Sequence, residues 1–411
     1  MKWSVDDKHI TILSSPTQRA ADKWDAARFQ AGFNASAGFR FRASSASRPL
    51  AANANRWAAE DKTFNRRDGT MMKRRLGRSE IEVSALGLGC MEIGGKMGDR
   101  EGYLLDNQAK GKAPMFFLGQ VDDEQSIRTL ALAVDEGINF FDTAPAYGAG
   151  HSERVMRRAF VGKRDKVVIA TKFGKLIDEN ENWFGCYSSA RAVIENIGKE
   201  CDESLRRLGT DYIDLYQYHQ MDFDLIEYAE EVIEIFEGLV AEGKIRYYGW
   251  STSDPECIRV FARGKHCTAI QHNLNILEDA PEQLDLCGEF DQASIARGIF
   301  GMGFLTGKYS AENYKTLLAR DDFRHRMAPR FVALLHELDQ VRDILTSDGR
   351  TLSQGALAWV WARSKRSIPI PGFRTLEQVK ENIEAVNYGP LTEEQMDQID
   401  SVLQREPIHH E

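Results

Sequence analysis

The chain has 411 residues, 42% of them apolar, and its 53 Lys/Arg against 62 Asp/Glu leave a net charge of −9. That length accommodates two ordinary domains or one large barrel, and the charge is uneven: residues 1–70 carry 12 basic against 7 acidic residues, residues 71–411 carry 41 against 55. An acidic body excludes a general nucleic-acid binder, whose affinity rests on many phosphate-neutralising cations.

Six widely scattered cysteines without a CxxC pair exclude a disulfide scaffold and a zinc site. No apolar run approaches the roughly 18 residues of a membrane span, and the N-terminus lacks a secretory h-region and cleavage site. The expectation is a cytoplasmic protein that binds neither nucleic acid nor membrane and holds no metal; oligomeric state is left open.

Residues 28–58 are rich in Ala, Ser, Asn and Arg with no acidic residue, and patterned sequence begins abruptly at "MMKRRLGRSEIEVSALGLGCM". Residues 1–70 therefore read as an N-terminal extension, either disordered or belonging to a start assigned too early, with the initiator at Met71 or Met72. Residues 73–83 form a hairpin pattern turning at Gly77. Apolar strand runs follow at 84–89, 138–142, 167–171, 212–218, 246–250, 268–272, 293–296 and 367–370. Amphipathic segments separate them at 123–136, 152–162, 189–208, 226–242, 254–264, 281–288 and 352–364, and one more follows at 375–386. Eight strands alternating with eight helices predict an α/β fold, a (β/α)8 TIM barrel over 71–411. A long loop at 94–121, a segment at 299–330, a helix at 331–346 and a C-terminal helix at 392–404 are additions to it. An open doubly wound sheet would carry GxGxxG after the first strand, where this chain reads "GLGCMEIGG".

Active sites of such barrels lie at the C-terminal strand ends. The second strand ends at Asp142, with Tyr147 in the loop that follows; the third ends at Lys172 and the fourth at His219. Each has an ordinary structural reading as a turn cap, a packing ring or a solvated end, but four at matching strand ends form a chemical set. An ammonium stabilises a phenolate and lowers a pKa ordinarily near 10. A carboxylate keeps the ammonium charged, and a histidine can orient an oxygen. Such a set moves a proton at an oxygen while something else, such as a hydride, moves at the adjoining carbon.

"GINFFDTAPAYGAGHSE", "ATKFGK", "YIDLYQYHQMD", "GFLTGKY" and "IPGFRTLEQVKENI" together resemble the aldo-keto reductase superfamily, with the match spanning 73–386. The resemblance implies a (β/α)8 barrel that uses NAD(P)H to reduce an aldehyde or ketone. Tyr147 then matches the general acid, Lys172 its partner, Asp142 the carboxylate paired with that lysine and His219 the substrate-orienting residue. It implies a cofactor site over Cys90, Met91, Ser251, Thr252, Gln271, Arg297, Gly298, Gly303, Lys308, Gly372, Phe373, Arg374, Gln378, Glu381 and Asn382. Thr252 stands where the family has Asn, and Arg297 where it has a ring-stacking Tyr; a guanidinium there would favour the reduced cofactor. Arg374 with Lys380 favours NADPH over NADH. Trp183, Phe184, Tyr187 and Trp250, with Met97, Tyr103, Leu104, Met115, Phe116 and Phe117 of the long loop, are candidates to line the substrate pocket. Two other functions fit parts of the pattern: Schiff-base chemistry on Lys172, which requires a neutral amine, and a cofactor-binding redox sensor with little turnover.

Overall fold

The computed structural model describes residues 71–95, 121–180, 182–220, 223–317 and 324–405. The extension expected over 1–70 and the aromatic and methionine residues expected in the long loop lie outside the described residues. A hairpin of β1 (Lys73–Arg75) and β2 (Glu82–Ser84) comes first. Gly77 turns it with φ of 56°, and a Cβ there would lie 2.0 Å from the Thr268 carbonyl oxygen, so only glycine fits.

Eight parallel strands follow in one sheet, neighbours in space as in sequence: β3 (Leu88–Gly89), β4 (Phe140–Asp142), β5 (Val168–Phe173), β8 (Ile213–His219), β9 (Ile245–Ser251), β10 (Cys267–Asn273), β11 (Ala293–Arg297) and β12 (Ser367–Pro369). The sheet curls round on itself. Gly87 N–H donates to the Pro369 carbonyl at 2.9 Å and Gly89 N–H to that of Pro371 at 3.0 Å, and Gly89 bridges to Gly372. Between β5 and β8 the chain inserts a small antiparallel hairpin of β6 (Leu176–Asp178) and β7 (Trp183–Gly185), which the sequence pattern did not suggest.

The intervening helices are α1 (Asp123–Asp135), α2 (His151–Ala159), α3 (Ala190–Leu208), α4 (Ala229–Ala241), α5 (Pro255–Phe261) and α6 (Pro281–Glu289). After β11 come a short α7 (Tyr314–Leu317), the long α8 (Arg324–Leu345) and α9 (Leu352–Arg363). After β12 come α10 (Leu376–Tyr388) and α11 (Glu393–Val402). Thr351, Thr375 and Thr392 each start a helix through a reciprocal capping box with a glutamine three residues on. Eight strands and their helices stand within a few residues of the expected positions.

Strand parity decides what enters the barrel, because successive side chains point to opposite faces. Phe140, Ala170, Leu215, Ala269, Ile295 and Ile368 fill the interior together with Leu76, Ile81 and Val83 of the entrance hairpin. Two residues further along their strands, the same face presents Asp142, Lys172, Gln217, Gln271 and Arg297. An apolar plug therefore supports a polar layer at the C-terminal rim.

The opposite face packs against the helices, and Trp250 belongs to it. Expected as a pocket-lining residue, it is instead fully buried, stacked on Phe261 at 3.8 Å between ring centroids and edge-on to Phe236 and Tyr218. The reason is parity: Trp250 lies one residue from inward-facing Ser251. Replacing Trp250 with alanine should lower the stability of the barrel by about 3–5 kcal/mol, the usual cost of an emptied aromatic core site, with urea unfolding as the measurement. Parent-like stability, together with an altered substrate KM, would return the ring to the pocket.

Candidate active site

The four residues singled out at the rim converge. Lys172 is fully buried, and its ammonium donates to Asp142 Oδ1 at 2.5 Å, to the Thr143 carbonyl at 2.9 Å and to the Tyr147 hydroxyl at 3.3 Å. All three of its donors are thus satisfied. Burial works against the charge, but attraction from Asp142 and then Tyr147 outweighs it and holds Lys172 above the ordinary lysine value.

Asp142 is fixed from its other side. Its Oδ2 accepts from Gln217 Nε2 at 3.0 Å and from Gln271 Nε2 at 2.7 Å, while its backbone carbonyl accepts from Cys90 N–H at 2.8 Å. Gln217 was not among the expected site residues, although it lies two positions before His219 and so on the same face of β8. Gln271, expected at the cofactor, is committed through its amide nitrogen to Asp142; its Oε1 accepts from Ser251 Oγ at 3.4 Å.

Tyr147 hangs from a turn between β4 and α2. Gly148, Ala149 and Gly150 all take positive φ, and a Cβ on Gly148 would lie 1.8 Å from the Gly94 carbonyl oxygen, so the loop presses on the segment after β3. Helix α2 is anchored beneath it: Glu153 pairs with buried Arg207 of α3 at 2.5 Å and accepts from Thr171 of β5 at 2.7 Å. The phenol's pKa is raised, contrary to the expected depression. Burial dominates, with Asp142 adding to it, while Lys172 and Arg297 pull the other way. The rim is drier than its cations can offset.

His219 stands edge-on to Tyr147, with ring centroids 6.1 Å apart. Burial, followed by the charges of Lys172, Lys175 and Arg297, drives its pKa well below the ordinary histidine value, so the ring is neutral at pH 7. Ala146, Ala149, Ile177, Trp183 and Phe184 pack as an apolar group beside Tyr147. Tyr187 lies behind them, its hydroxyl donating to Glu200 at 2.8 Å.

The residues expected at a cofactor fall into two groups. Cys90 is buried and Met91 exposed just beyond β3. Thr252 is buried and its hydroxyl accepts from Asp254 N–H. Arg297 is half-buried; its Nη1 donates to Asn273 Oδ1 at 2.6 Å, and its Nε has no partner. Gly298 and Gly303 take positive φ in the turn after β11, and Lys308 is exposed with its amine 5.4 Å from the Tyr309 ring centroid.

At the end of β12, Gly372 is half-buried, Phe373 buried and Arg374 exposed. Gln378 and Glu381 are taken up by the protein itself. The Gln378 Oε1 accepts from Arg374 N–H at 2.7 Å as part of the cap of α10, and Glu381 Oε1 accepts from Thr351 Oγ1 at 2.6 Å. Asn382 is buried with its Nδ2 unpartnered. Among the described residues no group of three or more His, Cys, Asp or Glu is placed to hold a metal ion, and no helix is long and apolar enough to cross a membrane.

The sequence model of the aldo/keto reductase family matches residues 86–404. Aldo-keto reductase YhdN of Bacillus subtilis is 32% identical over 333 residues, covering 79% of this chain and 91% of its own. An uncharacterized oxidoreductase of the same bacterium, YqkF, is 30% identical over 335 residues, covering 80% and 96%. Among solved structures, the holo form of aldo-keto reductase AKR11C1 from Bacillus halodurans superposes with a TM-score of 0.62 at 30% identity, over 81% of this chain and 96% of its own. The glycerol dehydrogenase AKR11B4 from Gluconobacter oxydans gives 0.66 at 30% identity, over 82% and 98%. With its barrel, its strand-end residues and these relatives, the chain belongs to the aldo/keto reductase family and is an NAD(P)H-dependent oxidoreductase.

Proposed function

We propose that the chain reduces an aldehyde or ketone to the alcohol with NADPH, and that Tyr147 delivers the proton to the carbonyl oxygen. The observation that carries this reading is the Lys172 ammonium donating to the Tyr147 oxygen. A phenol oxygen that accepts from lysine keeps its own O–H free to donate elsewhere. With its pKa raised, Tyr147 holds that proton through the neutral range, as a general acid must. Neutral His219 can donate one ring N–H to the same carbonyl oxygen and orient it without charging the site. Asp142 keeps Lys172 ionised, which argues against Schiff-base chemistry, since that requires a free amine.

A nicotinamide cofactor, when bound, supplies the hydride. The unpartnered Arg297 Nε and Asn382 Nδ2 and the exposed Arg374 at the start of α10 fit a dinucleotide: polar donors along one side of the rim, with a cation and a helix N-terminus at the far end. Arg374 is the residue that would hold the 2′-phosphate of NADPH. The apolar group with Trp183 beside Tyr147 suits a carbonyl with a hydrocarbon or aromatic substituent. A relative named glycerol dehydrogenase places small polyols and their carbonyl partners on the substrate panel.

The direct test is NADPH oxidation against a panel of aldehydes and ketones. Tyr147→Phe should lose about 10²–10⁴-fold in kcat, the usual share of a positioned general acid, while NADPH still binds in a fluorescence titration. A parent protein that binds NADPH but turns over nothing would instead be a redox sensor. Because His219 is held neutral and Tyr147 protonated, kcat for reduction at saturating NADPH should be flat from about pH 6.5 to 9 on the ordinary pKa scale. A limb near pH 6.5 that vanishes in His219→Gln would show a freely titrating histidine. Arg297→Tyr should lower the preference for NADPH over NADP, since its positive charge opposes the cationic oxidised ring; equal ratios in parent and variant would sink that role.

A further inference from the structure

Glu92, in the loop leaving β3, belongs to no group described so far. Closure of the barrel between β3 and β12 brings that loop against the segment 370–374. The Glu92 carboxylate rests on the Cα of Gly372: a Cβ there would lie 2.2 and 2.3 Å from its two oxygens. Half-buried, its carboxylate accepts from its own backbone N–H but from no other described residue, and it feels the charge of Arg374. Burial pushes its pKa up to about 7, against the pull of its own backbone N–H and of Arg374. A carboxylate kept in such a place loses solvation with little return from the fold, and the groups it faces are those expected to meet the anionic end of the cofactor. Acidic side chains at dinucleotide sites accept from ribose hydroxyls, whereas a phosphate in the same place is repelled.

We propose that Glu92 is a specificity-determining residue for the cofactor: its carboxylate, seated on Gly372 in the field of Arg374, opposes the additional phosphate of NADPH and narrows the preference over NADH. The inference rests on the reading of Arg374 as the 2′-phosphate partner. One opposed charge across a partly hydrated gap predicts that Glu92→Gln raises the ratio of the NADH to the NADPH dissociation constant by about three- to tenfold. Fluorescence titration of the parent and the variants with NADPH and NADH at about pH 8.5, where a carboxyl with a pKa of about 7 is ionised, reads this without turnover, and retained NADH binding reports a folded site. Glu92→Ala, which removes the carboxylate without leaving an amide, should shift the ratio in the same direction. Arg374→Met separates the two ideas, since it should lower the ratio in the parent background. If Arg374→Met lowers it but neither Glu92 variant raises it, the role of Glu92 is overturned and the NADPH reading stands. If Arg374→Met leaves it unchanged, both fall together.

Discussion

A fully buried ammonium at the mouth of a barrel is the constraint around which the rest of this rim is arranged. Lys172 is fully buried, so each of its three N–H donors must find an oxygen, and Asp142, Thr143 and Tyr147 provide them. Removing one partner of a buried ion pair typically costs about 3–5 kcal/mol. The arrangement is therefore self-enforcing: Asp142 cannot leave, and the phenol oxygen is held as the third acceptor. Asp142 is in turn gripped by two amides from strands on the far side of β5, Gln217 and Gln271. Strand register is what makes this possible. Asp142 pairs with Ala170 and Lys172 with Gln217; a one-residue slip in any of these strands would turn a member of the group outward to the helices.

The same burial sets the direction of the proton chemistry. Sequence reasoning expected the cation beside Tyr147 to win and to lower its pKa. Dryness, reinforced by Asp142, wins instead, and the charges of Lys172 and Arg297 only moderate it. Histidine responds to the same surroundings oppositely, because its charged form is the cation that both burial and its neighbours disfavour. One environment thus leaves a protonated phenol and a neutral imidazole side by side, each able to donate a proton or hydrogen bond to an oxygen placed between them.

Much of this was legible in the sequence, because strand ends and period-two alternation are local signals. The eight strands, their helices and the hairpin at Gly77 follow from alternation and turn signals, and the meeting of Asp142, Lys172 and His219, with Tyr147 from the loop after Asp142, follows from reading which residue ends each apolar run. What escaped has physical causes. Trp250 was taken for a rim residue because aromatic rings near strand ends attract that reading, although its position beside Ser251 turns it to the helices. Gln217 carries no charge, and nothing in a single sequence shows that its amide meets a carboxylate 75 positions away. The hairpin of β6 and β7 is hidden in "KLIDENENWFGC", where acidic and amide residues break any alternation. Gln378 and Glu381 lie on a helix expected at the cofactor, but the backbone cap and Thr351 claim their side chains, a competition visible only in three dimensions.

That competition separates the two ends of the site. At the reacting end, side chains come from rigid parallel strands and are held by interlocking buried bonds, so their geometry tolerates little change. At the far end, Gly372 and Arg374 sit on a loop and the following helix satisfies its own first turn, leaving few committed donors for a ligand. If that end meets the dinucleotide as proposed, discrimination rests on a small number of partly solvated charges, each worth far less than a buried pair. The Lys172 network draws its bonds from β4, β5, β8 and β10, so a carboxylate or guanidinium at the far end shares none of them. On the proposed reading, proton chemistry and cofactor choice are thereby set by separate residues of one rim.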